Sequence, residues 1–423
     1  MWIGGRRRGI IISESTAEFD RAVDPVACFT IRELEIIGFK SFAEKATFTF
    51  SSGINCITGR NGSGLSNLFD AVDWVLGKEL QNAIFAGSVL HPPADFAEVT
   101  ATFDNRSRRL NVDCDDVTIR RAMNRQAEDY FLLNGRRLTA SEVGSLFGEN
   151  DRGIAAYARF GQDRLYQVLG GSRQRREFFD EALGLSIFRR QLLEASRHLK
   201  EAQANLKRVQ DIQSHIRREL MIKAADLERS RTGREDSSLI EVNSAEYKHL
   251  KEMFDHQEKQ LDDLGSSSSK AKDILTERRS EASRFLAHAI SEASNKFSAL
   301  LSLIWQDSSA SIYLTDQTRP LASDIEIQLK LSGRPGTALK LLYGGGDKAN
   351  AVIMLMFAAY ATNPPHFCVL DDTDAALDDE NIEPFILLLR EFAPSTQIIL
   401  ATHKKKVTEL AQTMYQIATD ERP

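Results

Sequence analysis

Two short segments that serve the same chemistry lie at opposite ends of this chain, with a long helical stretch between them. Residues 59–66 read GRNGSGLS. They meet the phosphate-loop pattern G-x-x-x-x-G-K-[ST] at Gly59, Gly64 and Ser66, with Leu65 where the pattern has lysine. Residues 367–372 read FCVLDD, an apolar strand ending in two acids. Beside a phosphate loop, the first acid of such a pair holds Mg2+, usually through water, and the second polarises the attacking water. The segments can cooperate only if both ends of the chain fold into one unit. Between them, residues 172–229 contain no proline, and no glycine except Gly184. As continuous helix this stretch would span ~87 Å, far more than a globular helix.

The rest of the chain can be read around that division. Residues 1–30 are expected to be a disordered extension: Arg6-Arg7-Arg8 precede only three apolar residues, and the acids Glu14, Glu18, Asp20 and Asp24 argue against a transit peptide. Residues 31–171 form an N-terminal lobe, mostly of strands, with a helix from Ser66 to about Leu76. In that lobe, Asn134-Gly135 between Tyr130–Leu133 and Arg136–Leu138 signals a hairpin. Residues 172–305 read as an arm of two helices around a polar turn near 231–238, which suggests an antiparallel coiled-coil hairpin. Gly265 and Ser266 to Ser269 interrupt its second half and are compatible with a kink, a loop or a frayed turn. Residues 306–423 return to mixed α/β. There 325–331 alternates, 350–361 reads as a buried helix, and 367–371 and 397–402 read as buried strands.

Bulk properties remove several classes. A net charge of −6 supplies no global field for nucleic acid, so any DNA contact must be a local patch. Cys28, Cys56, Cys114 and Cys368 are scattered, which fits a reducing cytoplasm and gives no zinc spacing. No apolar run approaches the ~18 residues of a membrane span.

Each motif has a bland reading beside the chemical one. A phosphate loop cradles phosphate with backbone N–H groups at a helix N-terminus, and its lysine adds charge at the β/γ-phosphates. Gly59, Arg60, Asn61, Gly62, Ser63, Gly64, Leu65, Ser66 and Asn67 keep that cradle without the lysine. They are also compatible with a turn kept for packing. Asp371 and Asp372 stand in the positions of metal ligand and catalytic acid, or are a plain acidic strand end. An Asp reaches about 1.5 Å less far than Glu. His403 after the strand 397–402 is either a surface histidine or a γ-phosphate sensor. Gly344, Gly345 and Gly346 ahead of an apolar helix could receive phosphate or serve as a connector.

Taken in order, these segments resemble the head of a bacterial SMC (structural maintenance of chromosomes) protein. The segments carrying the resemblance are IIGFKSF (36–42), the phosphate loop, DAVDWVLG (70–77), IFAGS (84–88), FAEVTATFDN (96–105), Gly161-Gln162 and FCVLDDTDAALD (367–378). The resemblance implies an α/β fold: an ABC-type P-loop NTPase head assembled from N- and C-terminal lobes, with an antiparallel coiled-coil arm between them. It implies ATP and Mg2+ as cofactors, with Gln162, Ser66 and Asp371 serving the metal. Asp372 takes the catalytic-acid position and His403 the switch position. Gly344, Gly345, Gly346, Asp347 and Lys348 align on the signature loop that faces a partner's nucleotide. The implied partners are a second SMC-type head, a kleisin-like subunit and the DNA backbone, on the nucleoid.

The departures cluster on the phosphates. Leu65 replaces Lys, Gly344 replaces Ser, Asp372 replaces Glu, and the segment between Gly77 and Ile84 is short. Each lost charge-assisted hydrogen bond costs roughly 1.5–3 kcal/mol. Lys78 and Arg60 are the nearest candidates for a surrogate cation. A turn near Gly233 stands where the family has a globular hinge. Arg106, Arg108, Arg109, Arg120, Arg121, Arg125, Arg136 and Arg137 gather in the N-terminal lobe, diluted by Asp104, Asp113, Asp115, Asp116, Glu128 and Asp129 to about +2. Arg173, Arg175, Arg176, Arg189 and Arg190 line the first turns of the arm. The same residues are compatible with a weakened ATPase, a working ATPase, a non-enzymatic partner of an intact SMC complex, or a decayed gene product that still folds.

Overall fold

Strands from both ends of the chain share one sheet. The computed structural model describes residues 11–16, 29–60, 63–88, 91–110, 112–126, 128–148, 157–161, 167–232, 237–330, 337–338, 345–361, 364–379 and 381–418. Across the sheet the order is Ile11–Thr16, Thr413–Ala418, Ile54–Gly59, Gln397–Ala401, Phe367–Asp371 and Tyr157–Gly161. All pairs are parallel except the first. The inner strands are apolar on both faces, as parallel strands covered on two sides require. Side chains stitch the ends together. Gln397 accepts from Ile31 N (2.8 Å) and donates to Ile31 O (2.8 Å) and Ser51 O (2.7 Å). The Tyr415 hydroxyl meets Thr49 at 2.8 Å.

A second sheet is antiparallel, in the order Ala46–Thr49, Thr30–Ile37, Phe96–Asp104, Asp116–Asn124, Asp129–Leu133 and Arg136–Leu138. Its last hairpin turns at Asn134 (φ 47) and Gly135 (φ 83), the left-handed pair that an Asn-Gly turn supplies. Helix Leu65–Val75 buries Leu68, Phe69, Val72 and Trp74 in a core shared with Leu34, Val99 and Phe103 of this sheet and Ile57, Phe367 and Ile399 of the other. A three-stranded sheet (Ser309–Leu314, Ile325–Lys330, Thr337–Ala338) and the helix Gly345–Ala361 complete the C-terminal part. That helix is buried on every side from Ala349 to Tyr360.

Residues 11–16, expected in a disordered extension, instead pair with Thr413–Ala418 along six positions. The C-terminal strand would otherwise leave an unpaired edge, and an extended segment satisfies its ladder. Residues 1–10 and 17–28 lie outside the described residues.

The chain divides into two units, Met1–Ile187 with Leu286–Pro423, and Phe188–Phe285. Within the second, helix Ser186–Thr232 pairs with helix Ser237–Ile304 in antiparallel sense. Phe188 packs on Phe285 at 4.9 Å between rings, and Lys223 meets Glu246 at 2.5 Å. The expected break at Gly265 to Ser269 is absent: the helix continues through it, since the residues after it restore good helix formers and tertiary pairing outweighs local propensity. Only residues 233–236, outside the described residues, separate the two helices.

Candidate functional site

Parallel pairing brings four of the singled-out segments to one edge of the mixed sheet. Asp371 stands opposite Gly161 on one side and Ala401 on the other, Ala401 opposite Ile57, and Ile417 opposite Gly59. Gly59 at the start of the phosphate loop, Gly161, Asp372 and His403 therefore follow or end strands at the same C-terminal edge, where open α/β sheets bind ligands. Gln162 itself, with Asn61, Gly62 and Gly344, lies outside the described residues.

The described glycines of the loop are closely packed. Gly64 has φ +93, and a Cβ there would stand 2.4 Å from Ser41 Oγ. A Cβ on Gly59 would stand 2.4 Å from Ser63 Oγ and 2.8 Å from Ile417 O. Helix Leu65–Val75 starts without a side-chain cap, so its first N–H groups have no side-chain acceptor. Ser63 is buried and its hydroxyl has no partner among the described residues. Asn67 donates to Ser41 Oγ at 2.9 Å. Leu65 is half-buried and packs against the hydrophobic core, so its departure from lysine has a packing role. Arg60 is exposed. The other surrogate, Lys78, follows the far end of the helix and meets Asp73 at 2.9 Å. The described loop residues, Gly59, Arg60 and Ser63 to Asn67, are compatible with a backbone phosphate cradle and include no lysine.

At the acid strand, Ser66 Oγ donates to Asp371 Oδ1 at 3.2 Å across 305 positions of sequence. The other oxygen of Asp371 accepts from Arg159 Nη2 at 2.7 Å. Arg159 Nη1 also donates to Asp70 Oδ1 and Asp73 Oδ2, both at 2.7 Å. Lys40 adds a bond to Asp70 at 2.5 Å, and the Tyr157 hydroxyl one to Asp73 at 2.5 Å. Burial pushes the Asp371 carboxyl above its ordinary range, against the pull of Arg159 and Ser66. Burial acts the same way on Asp70, but Lys40 and Arg159 together hold it below that range. Burial opposes the Arg159 charge, and its carboxylates outweigh it, raising its pKa. Each oxygen of Asp371 already accepts one bond, so a divalent metal here would meet a carboxylate whose charge Arg159 already offsets. The sequence reading missed Arg159, Asp70 and Asp73. The available signal was a charged residue in the middle of a strand, Tyr157–Gly161, that pairs opposite Val369.

Asp372 is half-buried with φ 52, a left-handed conformation for a non-glycine residue. Asp374, fully buried, accepts from Thr402 Oγ1 at 2.5 Å and thereby ties the turn after the acid strand to the end of the next strand. Burial raises its pKa. His403, the following residue, is exposed. Gly345 and Gly346 open the buried helix.

Most arginines of the expected basic patches are engaged. Arg106 pairs with Asp104, Arg108 with Asp115 at 2.7 Å, and Arg120 with Glu98 at 3.6 Å. Arg121 is fully buried between the Trp74 and Phe131 rings, 4.7 and 4.6 Å away, and donates to Trp74 O and Lys78 O. Arg175 and Arg176 donate to backbone carbonyls of Ile325 and Ser323. Among the described residues no helix is long and apolar enough to cross a membrane.

The family model described as RecF/RecN/SMC N terminal domain matches residues 30–422. The Chromosome partition protein Smc of Rhodopirellula baltica is 37% identical over 196 residues, 44% of this chain and 16% of that protein. That of Fusobacterium nucleatum is 32% identical over 259 residues, 54% of this chain and 22% of that protein. The chain thus spans only a minor part of the length of these relatives. Among solved structures, the Smc head domain of Pyrococcus furiosus, with an extended coiled coil and bound to the C-terminal domain of ScpA, is 25% identical. It superposes with a TM-score of 0.66, over 90% of this chain and 92% of that one. The Smc head with coiled coil and joint of Pyrococcus yayanosii, 24% identical, shares the fold at a TM-score of 0.65 over 92% and 95%. The chain belongs to the RecF/RecN/SMC N-terminal domain family and has the fold of an SMC head, an ABC-type P-loop NTPase head with a coiled-coil arm.

Proposed function

We propose that this chain is an SMC-type head protein of chromosome partition whose nucleotide site binds ATP phosphates by backbone and hydrolyses them poorly. The observation that carries this reading is the single sheet edge from which the phosphate loop, Asp371-Asp372 and Thr402-His403 depart, with Ser66 on Asp371 at 3.2 Å. Gly59, Arg60, Asn61, Gly62, Ser63, Gly64, Leu65, Ser66 and Asn67 would line the phosphates. Asp372, His403 and Gln162 would act on the attacking water, and Gly344, Gly345 and Gly346 would face the nucleotide of a second head. Leu65, Gly344 and Asp372 each weaken the transition state. A kleisin-like subunit is the partner suggested by the ScpA-bound Smc head. DNA phosphates would meet the exposed Arg109, Arg136 and Arg137, since Arg121 and Arg175 are buried. The setting would be the cytoplasm, on the nucleoid.

Calorimetric titration of ATP into the wild type and a Leu65→Lys variant tests the reading. Micromolar binding by the wild type supports it, and binding by neither chain sinks it. The packing of Leu65 on the core favours a second reading, a non-enzymatic partner of an intact SMC complex. Binding by the lysine variant alone, with co-purification of an SMC or kleisin component by the wild type, would select that one.

A further inference from the structure

We propose that Arg159 is a resident cation of the nucleotide site, fixed on Asp371 where the motif calls for a divalent metal, so that the site works without one. The guanidinium bonds three carboxylates from two elements: Asp70 and Asp73 on the phosphate-loop helix, and Asp371 on the acid strand, each at 2.7 Å. Lys40 adds its charge at Asp70 and Lys78 at Asp73. Three carboxylates thus pair with three cations, Lys78 being the exposed one, and these six groups balance in charge with no metal among them. A divalent ion at Asp371 would have to compete with a charge-assisted bond that is about four-fifths buried on both sides and already neutralises the carboxylate. Arginine does not lose its proton at any working pH, so the charge opposite Asp371 persists. Its planar fork also suits it to bridge acids from two elements, which a lysine could not do in the same plane. The consequence for ligand binding rests on the nucleotide reading above; the occupation of Asp371 does not.

The first test therefore contains no nucleotide. Mn2+ binding to the full chain is followed by the EPR signal of the free ion, in wild type, Asp371→Asn and Arg159→Gln. Wild type and Asp371→Asn are expected to bind Mn2+ alike, and folded Arg159→Gln to gain affinity by about tenfold or more. An Asp371→Asn variant that binds about tenfold more weakly than wild type would overturn the proposal, as would a folded Arg159→Gln with no gain. If Arg159→Gln loses its circular dichroism, the wild type and Asp371→Asn comparison decides alone. ATP affinity of the wild type is then measured in Mg2+ and in EDTA. Values within about twofold are expected, and a drop of about tenfold in EDTA overturns metal-free binding. No ATP binding in either buffer would refute the nucleotide reading, while the Mn2+ comparison would still decide whether Arg159 occupies Asp371.

Discussion

The phosphate loop and the acid corner share one sheet edge and depart from their motifs in opposite ways. The loop keeps Gly59 and Gly64, where no Cβ fits, and has lost a side-chain cation at Leu65. The corner keeps its acid, Asp371, and has gained a side-chain cation at Arg159. Glycine geometry and charge are thus separable parts of the site. Backbone shape is set locally by φ and close packing, while charge depends on which distant elements the sheet brings together.

Removing the gained cation should have the largest effect. Arg159→Ala leaves Asp70, Asp73 and Asp371 as mutually repelling, largely buried acids and should cost roughly 3 kcal/mol of stability in urea unfolding. A loss under about 1 kcal/mol would mean the corner is a solvated ion cluster and the contrast with the loop is superficial.

Restoring the lost cation comes next. Leu65→Lys should tighten ATP binding by about tenfold or more, the worth of one charge-assisted hydrogen bond, while costing about 1 kcal/mol of stability through lost apolar packing. Unchanged affinity would show that the loop has lost its geometry as well as its charge.

The two acids bonded to Arg159 should respond to pH with opposite signs. Asp70 is held below the ordinary carboxylate value of about 4, so its stabilisation is present above that value and is lost as pH falls through the folded pKa. Asp371 is raised, so its ionisation costs stability at neutral pH, and that cost fades as pH falls through its elevated pKa. At pH 7, Asp70→Asn should therefore destabilise more than Asp371→Asn, and the gap should narrow as pH falls toward about 4, where the Asp371 cost fades, and close only below it, through the folded pKa of Asp70. The reverse order in urea titrations would show that Arg159 favours Asp371 over Asp70.

The smallest effect belongs to the arm, where nothing chemical is at stake. A Cβ on Gly265 would meet nothing within 4 Å, so Gly265→Ala should raise stability by about 0.5–1 kcal/mol by thermal circular dichroism. A loss would mean that the helix is broken there after all.

Much of this molecule is legible in its sequence. The Asn134-Gly135 hairpin, the helix after Ser66, the buried strands at 367–371 and 397–401 and the long helices all follow from local rules: turn residues, apolar runs and periodicity. So do the phosphate loop and its missing lysine, because a motif is a local string. Local propensity misjudges Gly265 to Ser269, which sit inside a helix longer than any single stretch of sequence explains, and residues 11–16, whose strand exists through a partner at 413–418. A charged residue within a strand marks Arg159 as unusual in the sequence, but its role is not legible there. Its meaning lies in Asp70, Asp73 and Asp371, acids that are distant in sequence and meet only when parallel strands from both chain ends align. The sequence by itself determined which backbone turns and apolar faces form, since these depend on neighbours along the chain. Only the tertiary structure decided which charges meet at the sheet edge, since electrostatic energy depends on distance in space.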